Sequence, residues 1–483
     1  VRQVIHFPAF LPDQLPRNVL TVAENVYPAS SGAQQYGAMP TTSYRSVPSY
    51  VSITTALPAK FQGGASVMAQ DGTAYLLAGT AAGLSKLAAG AWTSLLTGLT
   101  ITGRWRFAQF GNHVVTVNGG VTQVVDLAAS TAGALSGAPT GTGIAVIGDF
   151  VVITQAGGNN AMVQWSAFGD YTGWTAAVNQ SGFQPMLTGG EIKGIAGGEY
   201  GIILQRFRLV RMERSGDATA PFNFPEITTN FGCASAGSIA QAGRTIFFLS
   251  DRGFIAIDDG STIRPIGNEK FDQSFKDSVS PDEYDQIWSA VDPKRSLVFW
   301  GKAGSPGRVW VYNWVLDKAS TISLSHGGFF AGYTSSLTLE QVSALYTNID
   351  TMGYSLDDPR FQGGDPRLYF VGPDNSIGAL SGPNLAATLT LGQTEVAGEQ
   401  VSRVRGVWPI SDATSGVTVN IDARQRLGDA QSVSVSGAIQ PSGRVPVRCK
   451  GRFLGVSTAI AAGTPWSYIQ GVELEVEGAG LRG

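Results

Sequence analysis

The sequence predicts an all-β chain, a β-propeller of short antiparallel blades with an extended N-terminal arm and a small C-terminal β module. Three observations predict it. Glycine supplies 62 of 483 residues and charged residues only 14%, against about 7% and 25% in ordinary soluble domains. Many turn formers with few charges suit short buried strands, not long solvated helices. An apolar run, a polar turn with glycine and a second apolar run also recur along the chain, as in "TIFFLSDRGFIAIDDG" at Thr245 to Gly260. These hairpins are spaced by roughly 35 to 70 residues, nearest the period of about 40 to 50 of propeller blades with loop insertions.

Residues 1–50 carry prolines and scattered aromatics without periodicity, and read as an extended arm. Its apolar residues Phe7, Phe10, Leu11 and Leu15 need a surface to cover, either on the chain's own ring as a closing strand or on a neighbouring subunit. Residues 51–382 hold the hairpins, at "TAYLLAGTAAGLSKLAAGAW", "NHVVTVNGGVTQVVDL", "GDFVVITQAGGNNAMVQWSA", "YGIILQRFRLVRME", the string at Thr245, "RSLVFWGKAGSPGRVWVYNW" and "RLYFVGPDNSIGAL". A blade has two apolar faces and cannot bury both alone. Sheets arranged around an axis cover one another and leave only short edges. A pair of stacked β-sandwiches is the alternative use of such hairpins. Two short helices interrupt the strands. One starts at Ser280 with Pro281, Asp282 and Glu283 behind it, and the other at Thr338 with Gln341 at capping-box spacing. In residues 383–483, "ATLTLGQTEV", "VTVNIDARQRL" and "VELEVEG" alternate apolar and polar residues as half-exposed strands do, giving a terminal module or platform.

Net charge is −3, so no global positive field draws phosphate backbones or anionic lipids. Arginine outnumbers lysine, which suits planar contacts at protein interfaces. Cys233 and Cys449 stand far apart and build neither a disulfide framework nor a zinc site. No apolar run reaches membrane-spanning length and the opening "VRQVIHFPAF" is not a signal peptide, so the expectation is a soluble chain made in the cytoplasm without membrane insertion.

Nothing places a nucleophile beside His6, His113 or His326, and no HExxH, P-loop or GxSxG occurs. No catalytic, cofactor-binding or metal-ligating residue is therefore assigned, and no cofactor is expected. Among the acidic strings, Asp259 before Gly260 is turn chemistry, and Asp282 with Glu283 belongs to a helix start. Asp357, Asp358 and Asp365 read as a capped turn, with calcium through oxygens as the alternative. Trp165, Tyr171 and Trp174 read as core aromatics before a stacking platform. "QRFRLVRMER" gathers arginines, and on a strand Arg206 and Arg208 share one face while Arg211 takes the other. Arg206 and Arg208 are thus candidate interface residues, for subunit ion pairs or a polyanion.

The string "CASAGSIAQAGRTIFFLSDRGFIAIDDGSTIRPIGNEKFDQSF", followed by "AVDPKRSLVFWGKAGSPGRVWVYNWVLDKAS", resembles the central blades of short-tailed bacteriophage tail hub or nozzle proteins. The shared features are a glycine and serine segment, then FFLS-x-x-G, then an aromatic strand ending in YNW. "FPAFLPDQLPRNVLTVAENVYP", "GYSLDDPRFQGG" and "GVELEVEG" are similar to other parts of that family. The resemblance implies a structural virion protein, not an enzyme. It would form a hexameric ring of propeller subunits below the portal and adaptor, bear tail fibres or spikes, and retain and conduct genomic DNA without sequence specificity. Its place would be the virion tail, assembled in the bacterial host cytoplasm. The alternatives are a carbohydrate-binding or glycoside-cleaving propeller, with Asp357 or Asp358 as the carboxylates, and a stopper or head-completion protein of a long-tailed phage.

Overall fold

The computed structural model describes residues 1–30, 42–88, 91–334, 365–396, 401–427, 429 and 433–478. Within them the chain is a β-propeller. Antiparallel sheets follow one another around an axis as blade 1 (61–96), blade 2 (106–134), blade 3 (143–185), blade 4 (192–228), blade 5 (240–265) and blade 6 (287–323). Blade 7 combines Gly328–Tyr333, Pro366–Val371 and Ser376–Asn384 with Pro48–Ala56 from the start of the chain. The helix expected at Ser280 is the 3-10 turn Pro281–Gln286, where Glu283 accepts the Ser280 N–H at 3.3 Å. The helix expected at Thr338 lies outside the described residues.

Strand periodicity explains the ring. Side chains alternate between faces, so a strand between two other blades needs apolar residues at every position. In blade 3, Val151 and Ile153 pack toward blade 2 while Phe150 and Val152 pack toward blade 4. In blade 5, Ile246 and Phe248 meet blade 4, and Phe247 and Leu249 meet blade 6. The run "IFFL" is thus two half-cores back to back. Burying each large side chain stabilises the ring by roughly 1.5–3 kcal/mol.

The N-terminal residues join what the C-terminal residues leave open. Arg2–His6 pairs antiparallel with Ile469–Gly478. Leu20–Glu24 pairs with Ala387–Glu395 and touches the outer strand of blade 6, Glu24 against Thr321. Val26–Ser30 and Thr42–Ser46 form a hairpin on the second sheet. The C-terminal module is accordingly a two-sheet sandwich, one of whose sheets continues blade 6 without a break. Pro48–Ala56 then closes blade 7, with Tyr50 Oη bonded to Ser376.

One buried carboxylate ties blade 5 to the short helix Asp272–Ser278. Asp272 accepts the Phe254 N–H at 3.0 Å, and Gly253 and Gly267 stand against it so closely that an added Cβ on either would come within 1.9 Å of a carboxylate oxygen. Asp13 supplies the cap that the helix lacks, accepting the Gln273 and Ser274 N–H groups at 2.8 Å each. The glycine of FFLS-x-x-G is therefore a packing requirement set by an aspartate 19 positions later.

Burial pushes the Asp272 carboxyl up to about 6 from 3.8 and holds His326, packed against Phe329 and Phe370, down at about 4 from 6.5. Between pH 4 and 6 the folded chain keeps a proton on Asp272 that the unfolded chain has lost. It lacks one on His326 that the unfolded chain carries. The two slopes oppose, so the contributions of these two groups largely cancel across that window. Asp272→Asn exposes the histidine limb: stability should rise with pH up to about 6.5, by at most roughly 1.4 kcal/mol per pH unit. His326→Gln should leave the opposite slope, with stability falling as pH rises toward 6. Urea melts across this range check both, and a flat profile for Asp272→Asn would contradict the assignment.

Candidate functional site

All the blades enter the ring at one mouth, because each inner strand follows a connection from the preceding blade's outer edge. A cavity of about 860 Å³ opens there and is lined by Lys60, Arg104, Arg106, Glu191, Lys193 and Asp285, among others. Four cationic side chains thus meet two carboxylates, in a chain whose net charge is −3.

Arg104 lies over the Trp288 ring at 4.1 Å and donates to the Ile287 and Asp285 carbonyls at 2.5 and 2.6 Å. Arg106 donates to the Ala236 carbonyl at 2.8 Å. Neither forms an ion pair among the described residues. Burial first, and the neighbouring Arg106 second, presses Arg104 down to about 9, and burial lowers Arg106 as well. Arg104, at about 9, stays charged at neutral pH, and the nearby Asp285 favours its charged form. Lys193, by contrast, is paired with Glu191. Gly237 makes the junction between blades 5 and 6 possible, since a Cβ there would come within 1.9 Å of the Ile287 carbonyl oxygen.

A neighbouring cavity of about 270 Å³, which shares Arg106, Lys193 and Trp288 with the first, has Trp105, Phe107 and Phe330 in its lining as well.

The arm residues divide. Phe7 and Phe10 are 1% and 4% exposed, with Phe10 against Trp310, so they belong to the chain's own core and are not open to a neighbour. Leu11 is half-buried, and Leu15 is 84% exposed. Arg206 and Arg208 do not share a strand face: the strand ends at Gln205 and resumes at Leu209, leaving them in the turn. Arg206 makes a bidentate pair with Asp251 at 2.6 and 2.8 Å, and Arg208 pairs with Glu226 at 2.8 Å. In the sequence the cations cluster on this one string. The cationic cavity gathers residues from several blades, which no local pattern reveals.

Trp165 and Trp174 are buried, donating to the Gln180 and Tyr171 carbonyls. Tyr171 stacks on His113, which lies 3.8 Å from Asp126. Asp365 pairs with Lys294 at 2.9 Å, while Asp357 and Asp358 lie outside the described residues. Both cysteines are free and buried. Among the described residues no group of three metal-ligating side chains occurs, and no helix is long and apolar enough to cross a membrane.

No family model matches the chain, and no curated protein matches it. Solved structures similar to it include the RRP9 WD40 repeats, at 9% identity over 59% of this chain and 88% of that one, with a TM-score of 0.38. The extracellular domain of a hybrid two component system from B. thetaiotaomicron is similar at 12% identity and a TM-score of 0.41. That match covers 81% of this chain, which spans only 44% of the other. BBS1N, solved in complex with ARL6DN, is similar at 11% identity over 69% and 96% of the two chains, with a TM-score of 0.39. The fold itself stands on the strand pairing described above.

Proposed function

We propose that this chain is a structural virion protein, a tail nozzle or hub subunit that assembles as a six-fold ring beneath the portal and adaptor of a short-tailed phage and retains and conducts its DNA. The observation that carries the reading is where the resembling strings fall. "TIFFLSDRGFIAIDDG" forms the two middle strands of blade 5, and "RSLVFWGKAGSPGRVWVYNW" those of blade 6, the blade that runs on into the terminal sandwich. The conspicuous residues of these strings serve the framework. Asn313 of YNW accepts the Val315 and Leu316 N–H groups and so shapes the turn, and Asp292 does the same for Lys294 and Arg295. A low net charge suits a conduit wall, because strong phosphate attraction with counterion release would hold DNA in place.

Native mass spectrometry of the purified chain, alone and with a portal–adaptor assembly, tests the proposal. Six copies bound beneath the adaptor are expected. A strict monomer that ignores the adaptor would overturn it.

A further inference from the structure

We propose that the chain binds a second copy of itself head to tail, an apolar and acidic surface of blade 3 seating on a basic edge of the neighbour's terminal sandwich. This contact rests on the ring reading above and is the interface that would close such a ring. Strands within a blade are antiparallel, so the turns from first to second and from third to outer strand lie at the end away from the mouth. There blade 3 presents Phe168, Val178 and Phe183, which are 40%, 58% and 54% exposed. Three large apolar side chains at one end of one sheet form a patch, not scatter. The backbone between them is costly: Ala177, Asn179 and Gln180 have φ 64, 46 and 65. It is held by two bonds between Phe168 and Asn179, by the Trp165 indole on the Gln180 carbonyl at 2.8 Å and by the Ser181 hydroxyl on the Trp165 carbonyl at 3.0 Å. Val178 is thus displayed on a fixed turn, which lowers the ordering cost of a contact. Asp149, Asp170 and Asp217 lie in turns at the same end without an ion-pair partner among the described residues, and Arg214, over the Phe168 ring at 5.2 Å, stands among them.

The complement is on the sandwich. Cys449–Gly451 and Val433–Ala438 are the last strands of its two sheets, and they lie side by side, with Gly437 against Val445 and Val447. Arg403, Arg426, Arg448 and Lys450 are exposed there and have no ion-pair partner among the described residues. Arg403 stands directly opposite Lys450, an arrangement of like charges that weakens a strand pair until a carboxylate joins it. The nearby carboxylates are engaged elsewhere: Glu477 pairs with Arg405 at 2.6 Å, and Asp429 accepts the Arg426 N–H at 2.9 Å. Leu427 and Val433, 42% and 58% exposed, give this edge its own apolar part. Blade 3 and blade 6, from which the sandwich extends, are separated by other blades, so the two surfaces meet between copies and not within one. Two different complementary patches on one chain make a heterologous contact, which repeats into a closed ring or an open filament. A polyanion would use the basic edge alone and leave the apolar end of blade 3 in water.

Sedimentation velocity of the whole chain tests this, with one double variant carrying Asp149→Lys and Asp217→Lys and another carrying Arg448→Glu and Lys450→Glu. All four positions are exposed, and an unchanged near-ultraviolet circular dichroism spectrum confirms the fold. The unaltered chain should self-associate, and each double variant should do so more weakly by roughly tenfold or more, as like charges facing across an interface require. Val178→Ser should weaken it too. Mixing the two double variants one to one should restore assembly, because each copy then meets opposite charge on both sides. Undiminished association of the double variants, or a mixture no better than its parts, would overturn the contact and leave a ring built through other surfaces. Restored pairing that yields open chains instead of six-membered rings would support the contact and count against the nozzle reading. A chain that stays monomeric at high concentration, or whose basic edge takes up labelled oligo-dT in place of a second copy, would overturn the contact outright.

Discussion

A chain that starts at residue 57 is expected to lose its cooperative melt. The missing residues supply Pro48–Ala56, the strand that closes blade 7, and the strands that complete both sheets of the sandwich. With them go the buried side chains of Phe7, Phe10, Leu20, Val26, Tyr27, Tyr44 and Val47. At roughly 1.5–3 kcal/mol each, the loss is of the same size as the whole net stability of a typical domain, about 5–15 kcal/mol. Blade 7 would also face water with an open edge, which favours aggregation. Thermal melts followed by near-ultraviolet circular dichroism check this. Residues 1–56 added as a separate peptide should restore part of the signal. A truncated chain with an unchanged melting temperature would contradict the closure.

Gly253→Ala should be among the most damaging single methyl additions in the molecule. Gly253 has φ +122, a conformation that costs any other residue dearly, and its added Cβ would lie 1.9 Å from Asp272 Oδ2. The carboxylate has little freedom to retreat, since it is 8% exposed and bonded to the Phe254 N–H. A loss of about 4 kcal/mol or more is expected, in the range reserved for overpacking with backbone strain. Removing the carboxylate should relieve part of it. In a cycle with Asp272→Ala, the double variant should be at least ~1 kcal/mol more stable than the sum of the single effects, as for residues in direct contact. Simple additivity in urea melts would show that the two do not touch.

The parts of the fold that can be read in the sequence are those buried from both sides. The hairpin strings coincide with the middle strands of the blades: "NHVVTVNGGVTQVVDL" covers His113–Val117 and Gln123–Asp126, and "YGIILQRFRLVRME" covers Gly201–Gln205 and much of Leu209–Arg214. Such strands need apolar residues at successive positions, which leaves a plain trace. Inner and outer strands such as Ala240–Ala242 and Thr131–Ala134 are short, small in side chain or half-exposed, and leave none. The pairing of Leu20–Glu24 with Ala387–Glu395 is also silent, because partners so far apart in the chain share no local pattern.

The site is hidden for the same reason. Lys60, the pair Arg104 and Arg106, and Lys193 lie ahead of or at the start of three different inner strands, and the three groups become neighbours only when the ring closes. Arg206 and Arg208 looked like a site because they are neighbours in sequence, yet each is spent on its own carboxylate. The glycine of FFLS-x-x-G and the aspartate of "FDQSF" likewise form one packing unit only in three dimensions.

Electron micrographs of the purified chain test the central proposal most directly. Rings with six-fold symmetry around a hole wide enough for duplex DNA are expected, each subunit a propeller with its sandwich alongside, and those rings should stack on portal–adaptor particles. Dispersed single propellers that remain so at high concentration, with adaptor particles left bare, would contradict it.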